Sequence, residues 1–252
     1  MRAGRAVALL VGLSVGTTAR SAGAQTRCPA IEGGDGALAG VDADARLAFV
    51  RATMRDQASR AKTWSWAWSG IGLGLAVGQF GEMALVPAHE RFQQAFEGAA
   101  TLYIPGAIAL FPLEVRADDA TLERFLSDTD SNGEGTAPCL RLERAEELLA
   151  ASAHDESLHT NWLQHTLAIV LGAGYAVLLQ VAFKNVGNTI LNGGGGIVIG
   201  ELQILTSPTG AVSALERYRR GDIGGASAAA PKISWTFAPL DAAPGVSLVA
   251  RF

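Results

Sequence analysis

Charge is scarce in this sequence: Asp, Glu, Lys and Arg make up 17% of 252 residues, against about a quarter in soluble domains. Mean hydropathy is +0.23, which shifts the chain toward lipid. Lys and Arg do not exceed Asp and Glu, and the net charge is -4, so a basic nucleic-acid surface is excluded. Two cysteines, Cys28 and Cys139, are too few for a disulfide-dense mini-scaffold but suffice for one bridge in an oxidising compartment. The histidines His154, His159 and His165 stand in HDESLH and beyond, which is not HExxH. Their spacings of five and six share no helix face. The glycine run Gly193–Gly196 is not followed by Lys-Ser/Thr, so it is not a phosphate loop. No Ser/His/Asp or Cys/His arrangement emerges, and the expectation is a protein that is not an enzyme and takes no cofactor.

The N-terminus is informative. Arg2 and Arg5 precede the apolar stretch Ala6–Gly16, and Ala22-Gly23-Ala24 follows. That order of basic, apolar and small residues predicts a signal peptide over 1–24 and a mature start at Gln25. The apolar part is too short to cross a bilayer of about 30 Å.

The rest of the chain reads as mainly α, a membrane helical bundle of about four apolar helices in a duplicated unit. The first repeat covers 25–113. Asp42 caps an amphipathic helix over 43–62, in which Leu47, Val50, Met54 and Ala61 recur at helical spacing among Arg46, Arg51, Arg55 and Arg60. Apolar segments follow at 63–86 and 98–113, the second interrupted by Pro105-Gly106. An acidic loop is expected over 114–138. The second repeat, 139–220, offers another amphipathic helix and apolar segments at 166–183 and 186–207, the latter interrupted by Gly193–Gly196. The last part, 221–252, reads as a Gly/Ala/Ser linker and a β-hairpin, since Ile233, Trp235 and Phe237, then Val246, Leu248, Ala250 and Phe252, alternate with other residues. That final strand resembles the last strand of outer-membrane barrels, but two strands are too few for a barrel.

A shift of 98 residues places Trp64 on Trp162 and Gly74 on Gly172. It also lays Gly70, Gly74 and Gly78 over Ala168, Gly172 and Ala176. Small residues four apart form one helix stripe and let backbones approach in lipid. These six residues are the expected packing seam, between the repeats or between subunits. Leu122-Glu123-Arg124-Phe125 similarly resembles Leu215-Glu216-Arg217-Tyr218.

The polar groups within apolar segments are Glu82, Gln180 and Glu201, candidates because ionisable residues at membrane depth are costly. Asp128, Asp130 and Asn132 match the first half of a calcium loop, but Cys139 stands where the twelfth-position Glu belongs. They form at most a weak calcium candidate, and no metal site is expected. Trp64, Trp66, Trp68 and Trp162 suit an interfacial aromatic belt.

These observations lead to an exported, non-enzymatic envelope membrane protein, in the inner membrane with periplasmic parts rather than the outer membrane. Its expected partners are membrane lipid and a second copy or another envelope protein; nucleic acid is not among them. The alternative is a small channel or transporter with a site at the interrupted helices. One tension is built in. Four crossings behind a cleaved signal leave Arg91 and Lys184 on the cytoplasmic side and Arg55, Arg60, Lys62, Arg116, Arg217, Arg219 and Arg220 outside, against the positive-inside rule.

Overall fold

The structure, a computed structural model, describes residues 26–128 and 137–224 fully, and 129–131, 234–239 and 246–251 by their backbone. It is mainly helical. The elements are α1 (Gly36–Ala39), α2 (Ala43–Glu82), α3 (Arg91–Thr101), α4 (Tyr103–Leu110), α5 (Val115–Ser131), α6 (Pro138–His159), α7 (Trp162–Phe183), α8 (Val186–Asn188), a π-helical turn (Thr189–Gly194), α9 (Gly195–Leu205) and α10 (Ala211–Arg219). The segment expected to be a signal peptide lies outside the described residues. The C-terminal segment is described only by the backbone of Ser234–Pro239 and Val246–Arg251.

The helices divide into two regions. In the head, the first half of α2 packs with α5, α6 and α10. Its core holds Leu47, Val50 and Met54 from α2, Leu122 and Leu126 from α5, Leu142, Ala145 and Leu149 from α6, and Leu215 and Tyr218 from α10. Each set recurs at three or four residues, the spacing that puts side chains on one helix face. Asp42 caps α2, its carboxylate accepting from the backbone N–H of Asp44 and Ala45 at 3.0 and 3.3 Å. A disulfide joins Cys28 to Cys139 with Cα atoms 5.3 Å apart, across 111 residues of sequence.

The second region is a pair of apolar hairpins. The second half of α2 packs on α3 and α4, and α7 packs on the π turn and α9. Each arm is about 20 residues, or about 30 Å at 1.5 Å per residue. The hairpins turn at residues 83–90 and 184–185, where Lys184 adopts the left-handed conformation at φ 55°. Two helical stretches, Arg91–Asp128 and Trp162–Phe183, are long and apolar enough to cross a membrane. Only 22% and 11% of their apolar windows are buried, unlike the core helix of a soluble domain.

The helix boundaries refine the expectations and overturn one of them, the acidic loop. The amphipathic helix 43–62 runs on into the apolar segment 63–86 as one helix from Ala43 to Glu82, in keeping with the absence of a Gly or Pro at the join. The expected acidic loop 114–138 is for the most part α5. Leu122, Phe125 and Leu126 give it an apolar face on the head core, and Asp118 on the same side accepts from the Ser152 hydroxyl of α6 at 2.8 Å. Of the about four apolar helices expected, two stretches among the described residues meet the length and hydropathy needed to cross a membrane. Trp, Ser, Gly and Gln dilute the 63–82 half of α2, and the π turn divides 186–205.

Candidate functional site: a buried polar cluster between the hairpins

Two buried polar networks stand out. The first locks the head. Arg46, at 0% exposure, donates from Nε to the Tyr218 hydroxyl at 2.9 Å and from its terminal nitrogens to the carbonyls of Cys28 and Pro29, both at 3.0 Å. It also forms an ion pair with Glu146, which accepts a further bond from the Tyr218 hydroxyl. Burial, with the Glu146 carboxylate beside it, holds the Tyr218 hydroxyl above the ordinary phenol range. A buried charge is tolerated when its partners are complete, and here one guanidinium ties α2, α6, α10 and the N-terminal segment at the disulfide. The sequence pattern shows Arg46 only as one of several basic residues along an amphipathic helix.

A second carboxylate, Glu156, lies at the junction with the apolar region. It accepts from the backbone N–H of Ala211 at 2.6 Å and of Val212 at 3.4 Å, at the start of α10, where the helix dipole favours negative charge. Burial nevertheless raises its pKa. Gly210 lies so close to the Gln57 carboxamide that a β-carbon there would collide with it.

The second network sits between the hairpins, toward their turns. Glu97 on α3 is 1% exposed. It accepts from Gln93 Nε2 at 2.7 Å, Asn192 Nδ2 at 2.9 Å and Asn188 Nδ2 at 3.4 Å. Asn192 Oδ1 in turn accepts from Gln79 Nε2 at 3.2 Å, and the Thr101 hydroxyl donates to Gln79 Oε1 at 2.6 Å. The cluster therefore links α2 and α3 of one hairpin to α8 and the π turn of the other. Beside it Phe96 stacks on Tyr175 and meets Phe183. At the head end the hairpins meet again, where the indole N–H groups of Trp64 and Trp68 donate to Thr206 at 3.3 and 3.0 Å.

The residues singled out from the sequence fall elsewhere. Glu82 is exposed at the end of α2. Gln180 is half-buried and accepts from the Thr189 hydroxyl at 3.1 Å. Glu201 meets His165 Nδ1 at 2.7 Å across α7 and α9. His159 bonds the Asp155 carbonyl and His154 is exposed, so the three histidines do not converge. Asp128 is exposed on helix α5, not in an open loop; the Asp130 side chain and Asn132 lie outside the described residues. Among the described residues no three His, Cys, Asp or Glu side chains gather as metal ligands.

The small-residue stripes divide. A β-carbon at Gly70, Gly74 or Gly78 would meet nothing within 4 Å, so this stripe is not the seam within the chain. Gly72 makes the close approach instead: a β-carbon there would lie 2.8 Å from Pro105 Cδ and 2.9 Å from Ile104 Cβ. The expected interruption at Pro105-Gly106 is not a break: both residues lie inside α4, the helix changes at Leu102 instead, and the Pro105 ring is seated on Gly72. In the second hairpin a β-carbon at Gly200 would lie 3.0 Å from Ala168 Cβ, one at Gly172 would collide with Ile197, and one at Gly193 with Ala176. These contacts lie within one hairpin, not between the repeats.

The sequence reading missed Glu97 because it opened the apolar segment at Gly98. The signal was present: Gln93, Gln94, Glu97 and Thr101 recur at three- and four-residue spacing on one helix stripe. Compared with known proteins, the chain matches no protein family, no curated protein and no solved structure.

Proposed function

We propose that this chain is an exported, non-enzymatic envelope membrane protein, its two apolar hairpins in the bilayer and its disulfide-clamped head on the oxidising side. One observation carries the reading. Apart from Leu140 and Leu158, every large hydrophobic side chain left exposed among the described residues lies between Trp66 and Phe111 or between Trp162 and Leu205. Val77, Leu85, Val181, Leu191 and Leu205 are each more than two-thirds exposed. Apolar surface on that scale marks contact with lipid or protein. Arms of about 30 Å match a bilayer core, so all four arms are read as embedded, in a duplicated unit.

The Cys28–Cys139 bridge supports the orientation, since such bonds persist in oxidising compartments. Two of the seven cations that oppose the positive-inside rule are engaged in ion pairs, Arg55 with Glu123 and Arg60 with Asp56. In this reading the head stands in the periplasm, the membrane is the inner one, the C-terminal hairpin is an appendage, and the role is structural or in assembly. Separated inner and outer membranes, extracted with alkaline carbonate and with detergent, test it. Retention in carbonate-washed inner membranes is expected; release into the soluble fraction overturns it.

A small channel or transporter is the second reading, favoured by the Glu97 cluster and by the irregular second arm of each hairpin, at Leu102 between α3 and α4 and at the π turn. Interrupted helices in corresponding places accompany binding sites in transporters, and π turns concentrate at functional sites. Flux of small solutes from liposomes favours this reading; its absence alongside stable co-purifying partners favours the structural one.

A further inference from the structure

We infer that the Glu97 cluster is an intramembrane binding site for one small monovalent cation, of which sodium is the type. The inference rests on the membrane placement proposed above. Its starting point is a difference among buried carboxylates. Glu146 is paired with Arg46. Glu156 caps the start of α10 with two backbone N–H groups, and Glu201 meets His165. Glu97 is the most buried of the four, yet its described partners are neutral side-chain amides. A carboxylate taken out of water without a counter-charge is strongly disfavoured, more so within lipid.

The surroundings are suited to supply that counter-charge as an ion. Gln79, Gln93, Asn188 and Asn192 each carry a carbonyl oxygen on the same planar group as the nitrogen, and a half-turn of the amide exchanges them. With the Glu97 carboxylate and the Thr101 hydroxyl, the donor set is then entirely oxygen, the preference of hard cations. An independent feature points the same way. Gln94, three residues before Glu97 on the same stripe of α3, holds a buried Oε1 with no hydrogen-bond partner. One carboxylate balances one positive charge, so a monovalent ion leaves the site neutral where a divalent ion does not. The π turn carries Asn192 to the carboxylate, and Asn188 stands just before it, so occupancy would couple the two hairpins.

The test uses the full chain, purified from membranes in detergent, in sodium chloride and in choline chloride of equal ionic strength. Saturable binding of radiolabelled sodium is expected, with a melting temperature that climbs with the logarithm of sodium concentration above the dissociation constant. Glu97→Gln keeps the side-chain shape and removes the charge; it should lose both responses, while Glu201→Gln keeps them. No saturable binding together with equal melting in the two salts overturns the proposal, as does undiminished binding by Glu97→Gln. Melting that follows pH but ignores sodium overturns it too, in favour of a proton. Should Glu97→Gln fail to fold, the wild-type comparison of sodium with choline decides alone. Carbonate extraction of the same membranes separates the two levels: membrane-retained protein that binds no sodium sinks this inference only, whereas released protein sinks the membrane reading with it.

Discussion

The head and the hairpin pair are built from the same helices by opposite rules. In the head, leucines and a tyrosine are buried and most charges face out. In the hairpins, leucines and valines face out, while Glu97, Gln93 and Gln94 are buried. Helix α2 crosses from one rule to the other without a break: Val50 and Met54 are buried near its start, and Leu73 and Val77 are exposed near its end. Under the proposed membrane placement the helix needs no local signal to change solvent, because its backbone bonds are satisfied internally in either one. The change is written only in which face is apolar. The head also uses devices that suit water and an oxidising compartment: a disulfide and a completed buried ion pair. The hairpins rely on close backbone contact at Gly72, Gly172, Gly193 and Gly200.

The largest effects should come from the head's devices. Replacing Cys28 and Cys139 together by serine removes a cross-link over 111 residues, worth about 4–5 kcal/mol in the chain-entropy picture. Arg46→Ala leaves the Glu146 carboxylate buried without its partner, at about 3–5 kcal/mol. Denaturant unfolding followed by tryptophan fluorescence and by helicity should show the head lost first and the hairpin helices retained in detergent. Simultaneous loss of both would erase the division.

A smaller effect separates the stripes. Gly193→Leu drives a side chain into Ala176 and should cost about 1–3 kcal/mol, as overpacking does. Gly74→Leu enters open space and should change thermal stability in detergent by less than about 0.5 kcal/mol, as surface changes do. Equal damage from the two would restore the seam expected from the sequence and place a partner on the Gly70–Gly74–Gly78 face.

The smallest effect is a pH slope at the boundary between the regions. Burial raises the Glu156 pKa in the folded head, so folding favours its protonated form. Its contribution to stability is complete below the ordinary carboxylate pKa and is lost as the pH rises through the raised value. The stability difference between wild type and Glu156→Gln should therefore grow as the pH falls from neutral. Melting curves of both proteins over that range test the sign; a difference that grows with rising pH contradicts it.

Much of this division was legible in the sequence. The capping Asp42 and the apolar stretches follow from spacing and composition. What was not legible has a physical reason in each case. Arg46 looks like its solvated neighbours Arg51 and Arg55, because burial of a guanidinium depends on carbonyls and a tyrosine supplied from 17 to 172 positions away. Gly72 stands between Gly70 and Gly74, and only the path of α4 decides which of them is covered. Glu97 was passed over because its stripe begins in a polar stretch that reads as the end of a turn. The acidic count over 114–138 hid the helical period of Leu122 and Leu126.

The central claim, that the chain turns inside out between head and hairpins, is tested most directly by a lipid-soluble carbene photoprobe in native membranes, with labelled positions read by mass spectrometry. The account predicts labelling at outward residues of the hairpins, Leu75, Val77, Val177, Val181, Val198 and Leu205, and none on head residues such as Val50, Leu122 and Leu149. Labels absent from the hairpins, or spread evenly over hairpins and head, would contradict it.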